Sequence, residues 1–289
     1  MVRYIASVMI LAAVINGCDQ VDLKGLIMPT GDGVEKRFEQ SMKINGGKEL
    51  ALIDAKNEYM FYVCADPHIK RTHRNLDIFN DKFRSDGLTS FGVVLGDCSD
   101  TRMNLHSYLD ALNYDPSRHK YDHRVFHILG NHDLFFNGWD EFKEKAGPSV
   151  YWFEVVFPQG KDLYISLDSA TGTLGRKQTE WLTSFMEEYR HGFRHCTILT
   201  HTNFFYSDTT QGGSGNMPLD ETIGLMDLFR RYDVTLVLQG HDHHREDLTF
   251  DGVRYVVTGT IRDESHSPEY LKVNVLPDKV VLDWQHMMN

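Results

Sequence analysis

VTLVLQGHDHHRED, residues 234–247, is two kinds of sequence joined at a glycine. Its first half is apolar and rich in β-branched residues, the signature of a strand buried on both faces. Its second half crowds three histidines and three acids into seven residues. A solvated loop would account for them, and so would a metal site. The same design recurs upstream. YMFYVCADPH (59–68), FGVVLGDCSD (91–100), RVFHILGNHD (124–133) and CTILTH (196–201) are apolar runs that end in Asp, Asn or His. Helical patterns follow some of them, NLHSYLDALNY (104–114) and WDEFKEKAG (139–147) among them. Buried strands alternating with helices predict an α/β fold. In open α/β sheets ligands gather at the carboxyl ends of the strands, so clusters far apart in sequence can meet at one place.

Between and beyond these runs, YWFEVVF (151–157) and DLYISLD (162–168) read as adjacent strands. RKQTEWLTSFMEEYRHG (176–192) reads as a long helix whose Trp181, Leu182, Phe185 and Tyr189 form a core face. GVRYVVTG (252–259) and YLKVNVLPDKVVLDW (270–284) read as antiparallel hairpins. GDGVEKRFEQSMKI (31–44) predicts a short helix to which no chemistry is assigned.

The remaining features bound the function. The chain has 289 residues, 41% hydrophobic and 25% charged, with no linker or repeat, which predicts one large domain. Its net charge of −11 disfavours a partner that is a nucleic-acid polymer. A small anionic substrate stays open, because bound cations invert the local field. MVRYIASVMILAAVINGCDQ (1–20) has an early Arg3, a short apolar run and small residues, the proportions of a secretory signal. VINGC resembles the lipobox of bacterial lipoproteins. That resemblance implies a leader over 1–17, lipid on Cys18 and a membrane-anchored place in the cell envelope, which leaves an extension over 18–58 before a domain over 59–289 that opens with the first apolar run. Cys64, Cys98 and Cys196 sit in apolar runs and read as buried hydrophobes.

The polar strand ends supply Asp66, His68, Asp97, Asn131, His132, His201, His241 and His243. Carboxylate, imidazole and amide oxygen are ligands for borderline and hard divalent metals. Without His132 there are seven candidates, too many for one ion and enough for two that share a carboxylate. Gly96, Gly130 and Gly240 each precede such a group. Other histidines, His127 and His244 included, read as packed or surface residues, and Asp168 as a structural acid.

D-x-H, G-D, G-N-H-D, H and G-H-x-H, in this order and each at a strand end, resemble the calcineurin-like metallophosphoesterase superfamily. The resemblance implies a four-layer α/β/β/α sandwich of two mixed sheets and a two-metal phosphoesterase site. Asp66, His68 and His243 would hold one metal, Asn131, His201 and His241 the other, and Asp97 would bridge them. His132 would assist the leaving group, oriented by Asp133. The ligand set admits Mn, Fe, Zn or Co.

Departures narrow the class. GDCSDTR has Thr101 where phosphoprotein phosphatases place an arginine. Asp100 stands where purple acid phosphatases place a tyrosine ligand. The GNHD form and the layout after it are similar to the class III cyclic-nucleotide phosphodiesterase branch, which implies a small phosphorylated substrate and a phosphodiesterase. A phosphomonoesterase or nucleotidase, and a non-catalytic envelope lipoprotein, are the alternatives. Aromatics after the site motifs, Phe135, Phe204 and Tyr206, are candidates to stack on substrate, or else they pack on the domain. Oligomeric state is not encoded in these features.

Overall fold

The structure is a computed structural model that describes residues 32–70, 72–86, 89–100, 105, 107–108, 125–205 and 217–287. The leader, Cys18, Tyr206 and most of the helix expected over 104–114 lie outside the described residues. Among the described residues no helix is long and apolar enough to cross a membrane.

Strands β1 (Leu52–Asp54), β5 (Tyr151–Phe157), β6 (Gly160–Ser166), β7 (Cys196–Leu199), β8 (Leu236–Gln239), β9 (Glu246–Phe250) and β10 (Val253–Val257) form one sheet, ordered β1-β5-β6-β7-β8-β10-β9. Strands β2 (Tyr59–Cys64), β3 (Thr89–Val94), β4 (Val125–His127), β11 (Glu269–Val275) and β12 (Val280–His286) form the other, ordered β12-β11-β2-β3-β4. Both sheets are mixed. β2, β3 and β4 run parallel, as do β6, β7, β8 and β10, whereas β5–β6, β9–β10 and β11–β12 are antiparallel hairpins.

Period-two side-chain alternation sorts each strand between two cores. On β2, Phe61 and Val63 face the other sheet while Tyr62 and Cys64 face outward onto helices. Phe61, Phe91, Phe126, Phe153 and Tyr164 fill the space between the sheets, with the Phe126 and Phe153 rings stacked at 3.6 Å. Helices α2 (Arg74–Ser85) and α3 (Gly138–Lys145) cover the five-stranded sheet through Leu76, Phe79, Phe83, Trp139 and Phe142. Helices α4 (Gly175–Tyr189) and α5 (Leu219–Arg231) cover the seven-stranded sheet through Leu182, Phe185, Met186, Leu225 and Phe229. The layers are therefore α/β/β/α. Cys64, Cys98 and Cys196 are free and buried, and burial raises each thiol.

Helix α1 (Val34–Asn45) does more than its surface-like sequence indicated. It carries Arg37, whose guanidinium is buried and donates to both oxygens of buried Asp168, at 2.8 and 3.0 Å. Ser149 donates to the same carboxylate at 2.9 Å, so Asp168 is a structural acid with all its partners supplied by protein.

The strand ends that matter for chemistry stay stitched together past their last ladder bond. Asp66 N donates to Gly96 O, His68 N to Asp97 O, and Gly240 N to His201 O. The two sheets are bolted to each other at the same end: His201 Nδ1 donates to Leu95 O at 2.7 Å, and His241 N donates to Asp66 Oδ2 at 3.0 Å.

Candidate metal centre

The carboxyl ends of β2, β3, β4, β7 and β8 bring the seven sequence candidates into two adjoining groups. In the first, His68 Nε2 lies 3.0 Å from His243 Nε2 and 3.6 Å from Asp97 Oδ2, and His243 Nε2 lies 3.7 Å from Asp66 Oδ1. In the second, His201 Nε2 lies 3.4 Å from Asp97 Oδ1, 3.2 Å from His241 Nδ1 and 3.0 Å from Asn131 Oδ1. Asp97 turns one oxygen to each group. Ligand atoms within each set of acids and histidines lie within 4.8 Å of one another.

The backbone is unusual here. Asp66, His68, Asp97, His241 and His243 all have positive φ, between 43° and 75°. L-residues adopt this region at a cost, and such residues cluster where function over-determines the structure. Gly130 serves close approach: a Cβ there would stand 2.1 Å from Asp97 N and 2.2 Å from Asp97 Oδ1. Gly96 serves both needs, with φ of 85° and a Cβ position 2.6 Å from His201 Nδ1.

The donor set fits cations. His68 donates Nδ1–H to Asp100 Oδ1 at 2.6 Å, and His201 donates Nδ1–H to Leu95 O, so each Nε2 is left as a bare lone pair. Those lone pairs face further acceptors, the Asn131 carbonyl oxygen and the Asp97 carboxylate. Acceptors converging on acceptors need a positive charge between them. Burial pushes His243 down to about 3 and His241 down to about 4, with neighbouring imidazoles adding to the effect, and it also lowers His201. Burial and the charge of Asp97 push Asp66 well above the usual carboxylate range. Asp97 itself, which burial alone would raise, is held low by His201, His132 and His68. His201, His241 and His243 thus already prefer the neutral, ligating form, and a divalent ion would supply the charge that keeps Asp66 ionised beside Asp97.

His132 stands at the rim of the two groups, its side chain 34% exposed like that of His243, whereas Asp66, His68, Asp97 and His201 are buried beneath. Its Nε2 lies 3.9 Å from Asp97 Oδ2, on the side of the bridge. Its Nδ1 lies 3.5 Å from Asp100 Oδ1. The expectation that Asp133 orients His132 is corrected by this geometry. Asp133 is buried and accepts the backbone N–H groups of Gly130 at 2.9 Å and Ser99 at 3.2 Å, which locks the GNHD turn onto β3's end. Asp100 was noted in the sequence only for not being tyrosine. A carboxylate three residues after Asp97 was the one available signal, and it did not say which histidine it would meet. Asp100 meets both His68 and His132.

Of the stacking candidates, Phe135 lies beside His132 with ring centroids 4.7 Å apart. Phe204 is corrected: it is 3% exposed and packs on Phe229 of α5, inside the outer core. His127 is a packed residue, bonded to Tyr108 and lowered to about 4 by burial.

The model for calcineurin-like phosphoesterases matches residues 59–245, well over half of the sequence. This chain belongs to that family. Calcineurin-like phosphoesterases use a dinuclear divalent centre, and the two groups sharing Asp97 could hold one. No curated protein matches the sequence. Solved structures share its fold. A dimetal phosphatase from Danio rerio is 14% identical with a TM-score of 0.57, over 79% of this chain and 96% of that one. The purple acid phosphatase PPD1 from yellow lupin seeds is 14% identical with a TM-score of 0.56, over 80% of this chain and 52% of that one. A putative 5′-nucleotidase from Staphylococcus aureus, in complex with alpha-ketoglutarate, is 15% identical with a TM-score of 0.50, over 80% and 54%. The chain is a metal-dependent phosphoester hydrolase of this family.

Proposed function

We propose that this calcineurin-like phosphoesterase is a phosphodiesterase of the class III cyclic-nucleotide phosphodiesterase-like branch, acting on small phosphodiesters. The observation that carries the reading is the pairing of two acceptor-lined groups across Asp97 with a partly exposed His132 above them. Asp66, His68 and His243 would hold one ion, Asn131, His201 and His241 the other, and Asp97 both. Bound there, two divalent ions supply Lewis-acid polarisation of the phosphoryl oxygens and an activated water. His132 presents Nε2 toward the bridge, where it donates a proton to the leaving oxygen. Asp100, facing Nδ1, favours the protonated imidazole and holds its ring. Phe135 lies against that ring, tilted at 47°. A diester carries one negative charge fewer than a monoester. On the His132 side of the site Lys70 is already engaged by Asp100 at 3.3 Å, which favours the lesser charge there.

A pure binding protein has no use for a proton donor held by its own carboxylate, so the His132–Asp100 arrangement favours catalysis over a non-catalytic lipoprotein. We further propose export through the leader over 1–17 and anchoring by lipid on Cys18. Sensitivity of the mature N-terminus to Cys18→Ser tests that part. For the reaction, the metal-stripped protein is reconstituted with manganese and assayed on bis-p-nitrophenyl phosphate and p-nitrophenyl phosphate. Diester hydrolysis that disappears with chelator, and with His132→Ala while metal content stays constant, is expected. Monoester activity alone would replace this reading with a phosphatase or nucleotidase. Silence on both with two metals bound would leave the binding protein.

A further inference from the structure

The segment after β10 runs along the metal centre and then away from it. Thr260 bridges to Ala65 and donates its hydroxyl to Asp66 O at 2.6 Å, and Ile261 N donates to Ala65 O at 3.1 Å. The next residue, Arg262, is fixed on two sides through its backbone. Its N–H donates to Thr260 Oγ1 at 3.1 Å, and its carbonyl accepts from Asn75 Nδ2 at 3.1 Å. Asp263 then caps the first turn of α2 through Arg74 N and Asn75 N. The backbone that carries Arg262 is therefore tied both to a metal-ligand strand and to a helix.

Its guanidinium is treated differently from those of Arg37, Arg194 and Arg254. Arg37 is paired with Asp168, Arg194 with Asp162 and Arg254 with Asp247. Among the described residues no hydrogen bond or ion pair engages the Arg262 side chain. Arg262 lines a recess of about 550 Å³ whose wall includes the metal-group residue His243, together with Arg245, Ser265, Glu264 and Glu269. A recess of this size accommodates a small-molecule arm. A planar guanidinium on a fixed backbone offers two parallel N–H donors to a carboxylate or phosphate.

We infer that this recess is a second subsite, and that the natural substrates carry an acidic group on the arm beyond the scissile phosphorus, read by Arg262. The inference rests on the phosphoesterase reading for where that phosphorus sits. Glu264 and Glu269 give the recess a mixed lining that suits hydroxyl or ammonium donors on the same arm.

The test uses two diesters that differ by one carboxylate, glycerophosphoserine and glycerophosphoethanolamine. Binding to manganese-loaded His132→Ala protein is measured by titration calorimetry, with and without Arg262→Ala or Arg262→Lys, and metal content is determined for every sample. The serine diester is expected to bind about ten- to hundredfold more tightly, the range of one charge-assisted contact. Arg262→Ala should bring the ratio close to one, and Arg262→Lys, which keeps charge but loses the fork, should leave an intermediate ratio. Equal binding of the two diesters, or a preference that survives Arg262→Ala at full metal content, overturns the subsite. Turnover of both diesters is followed separately with the wild-type protein. Its absence, with the binding preference intact, overturns the phosphodiesterase reading and leaves the subsite standing.

Discussion

Replacing Asp100 by Asn separates the roles of two neighbouring acids. The carboxylate of Asp100 lies 3.5 Å from His132 Nδ1 and 2.6 Å from His68 Nδ1. A unit charge pair about 4 Å apart is worth about 1 kcal/mol in water and about 4 kcal/mol at the effective dielectric of a protein surface. The His132 side chain is 34% exposed and that of Asp100 is 22% exposed, so solvent screening places the effect near the lower end. About 1–2 kcal/mol corresponds to roughly one pKa unit. The sign follows from which form Asp100 favours. His132 is lowered by burial, while Asp97 and Asp100 oppose that by favouring the imidazolium. Removing the Asp100 charge lowers the His132 pKa further, so the protonated donor is lost at lower pH. The alkaline limb of kcat in Asp100→Asn should therefore move about one unit toward acid, measured at saturating manganese. Metal affinity should fall about 10–100-fold as well, because His68 loses the partner that fixes its tautomer. Asp133→Asn, which touches backbone amides instead, should leave the limb in place and lower thermal stability. An unmoved limb in Asp100→Asn, or a shifted one in Asp133→Asn, would refute the assignment.

Gly130→Ala forces a methyl into contact with Asp97 N and Oδ1, more than an ångström inside ordinary packing distance. It should cost about 1–3 kcal/mol of stability and weaken manganese binding about tenfold; wild-type affinity by calorimetry would contradict the close approach. Arg37→Ala leaves Asp168 buried without its counter-charge and should cost about 3–5 kcal/mol in urea unfolding. A loss below about 1 kcal/mol would show that α1 is not held through that pair. Removing the metals should lower the melting temperature by about 10–20 °C relative to protein in manganese at a hundredfold excess over Kd, since that excess contributes about 2.7 kcal/mol at each of two sites. An unchanged melting temperature would mean that the two groups do not bind manganese in the folded state.

The layered fold was legible because its strands are buried on both faces. Runs such as those around Val63, Val94 and Val237 are too apolar and too short for anything else, and each ends at a chemically marked residue. The helix over Val34–Asn45 was legible as a helix but not as part of the structure's support. Nothing in its sequence separates Arg37, which is buried, from the exposed charges around it. Phe204 shows the converse. An aromatic three residues beyond His201 looks equally suited to a site mouth or a core, and only the position of Phe229 on α5 decides it.

The centre itself divides along a physical line. Ligand identity is restricted by chemistry: few residue types bind divalent ions, and strand ends fix where they point, so Asp66, His68, Asp97, Asn131, His201, His241 and His243 stood out as a set. The residues that orient those ligands are restricted only by geometry. Asp133 is adjacent to His132 in sequence, yet the GNHD turn sends its carboxylate back onto Gly130 and Ser99. Asp100 is remote in sequence, yet the left-handed kink at Asp97, with φ of 49°, swings the chain so that its carboxylate meets two imidazoles. The same holds for Arg262, which matches no motif and is marked by its place in the recess beside His243, without a carboxylate partner among the described residues. Strain at the ligands and the placement of their supports are thus one property. Five ligands with positive φ turn the chain sharply at the ends of β2, β3 and β8, and the direction of each turn selects which neighbour reaches the centre.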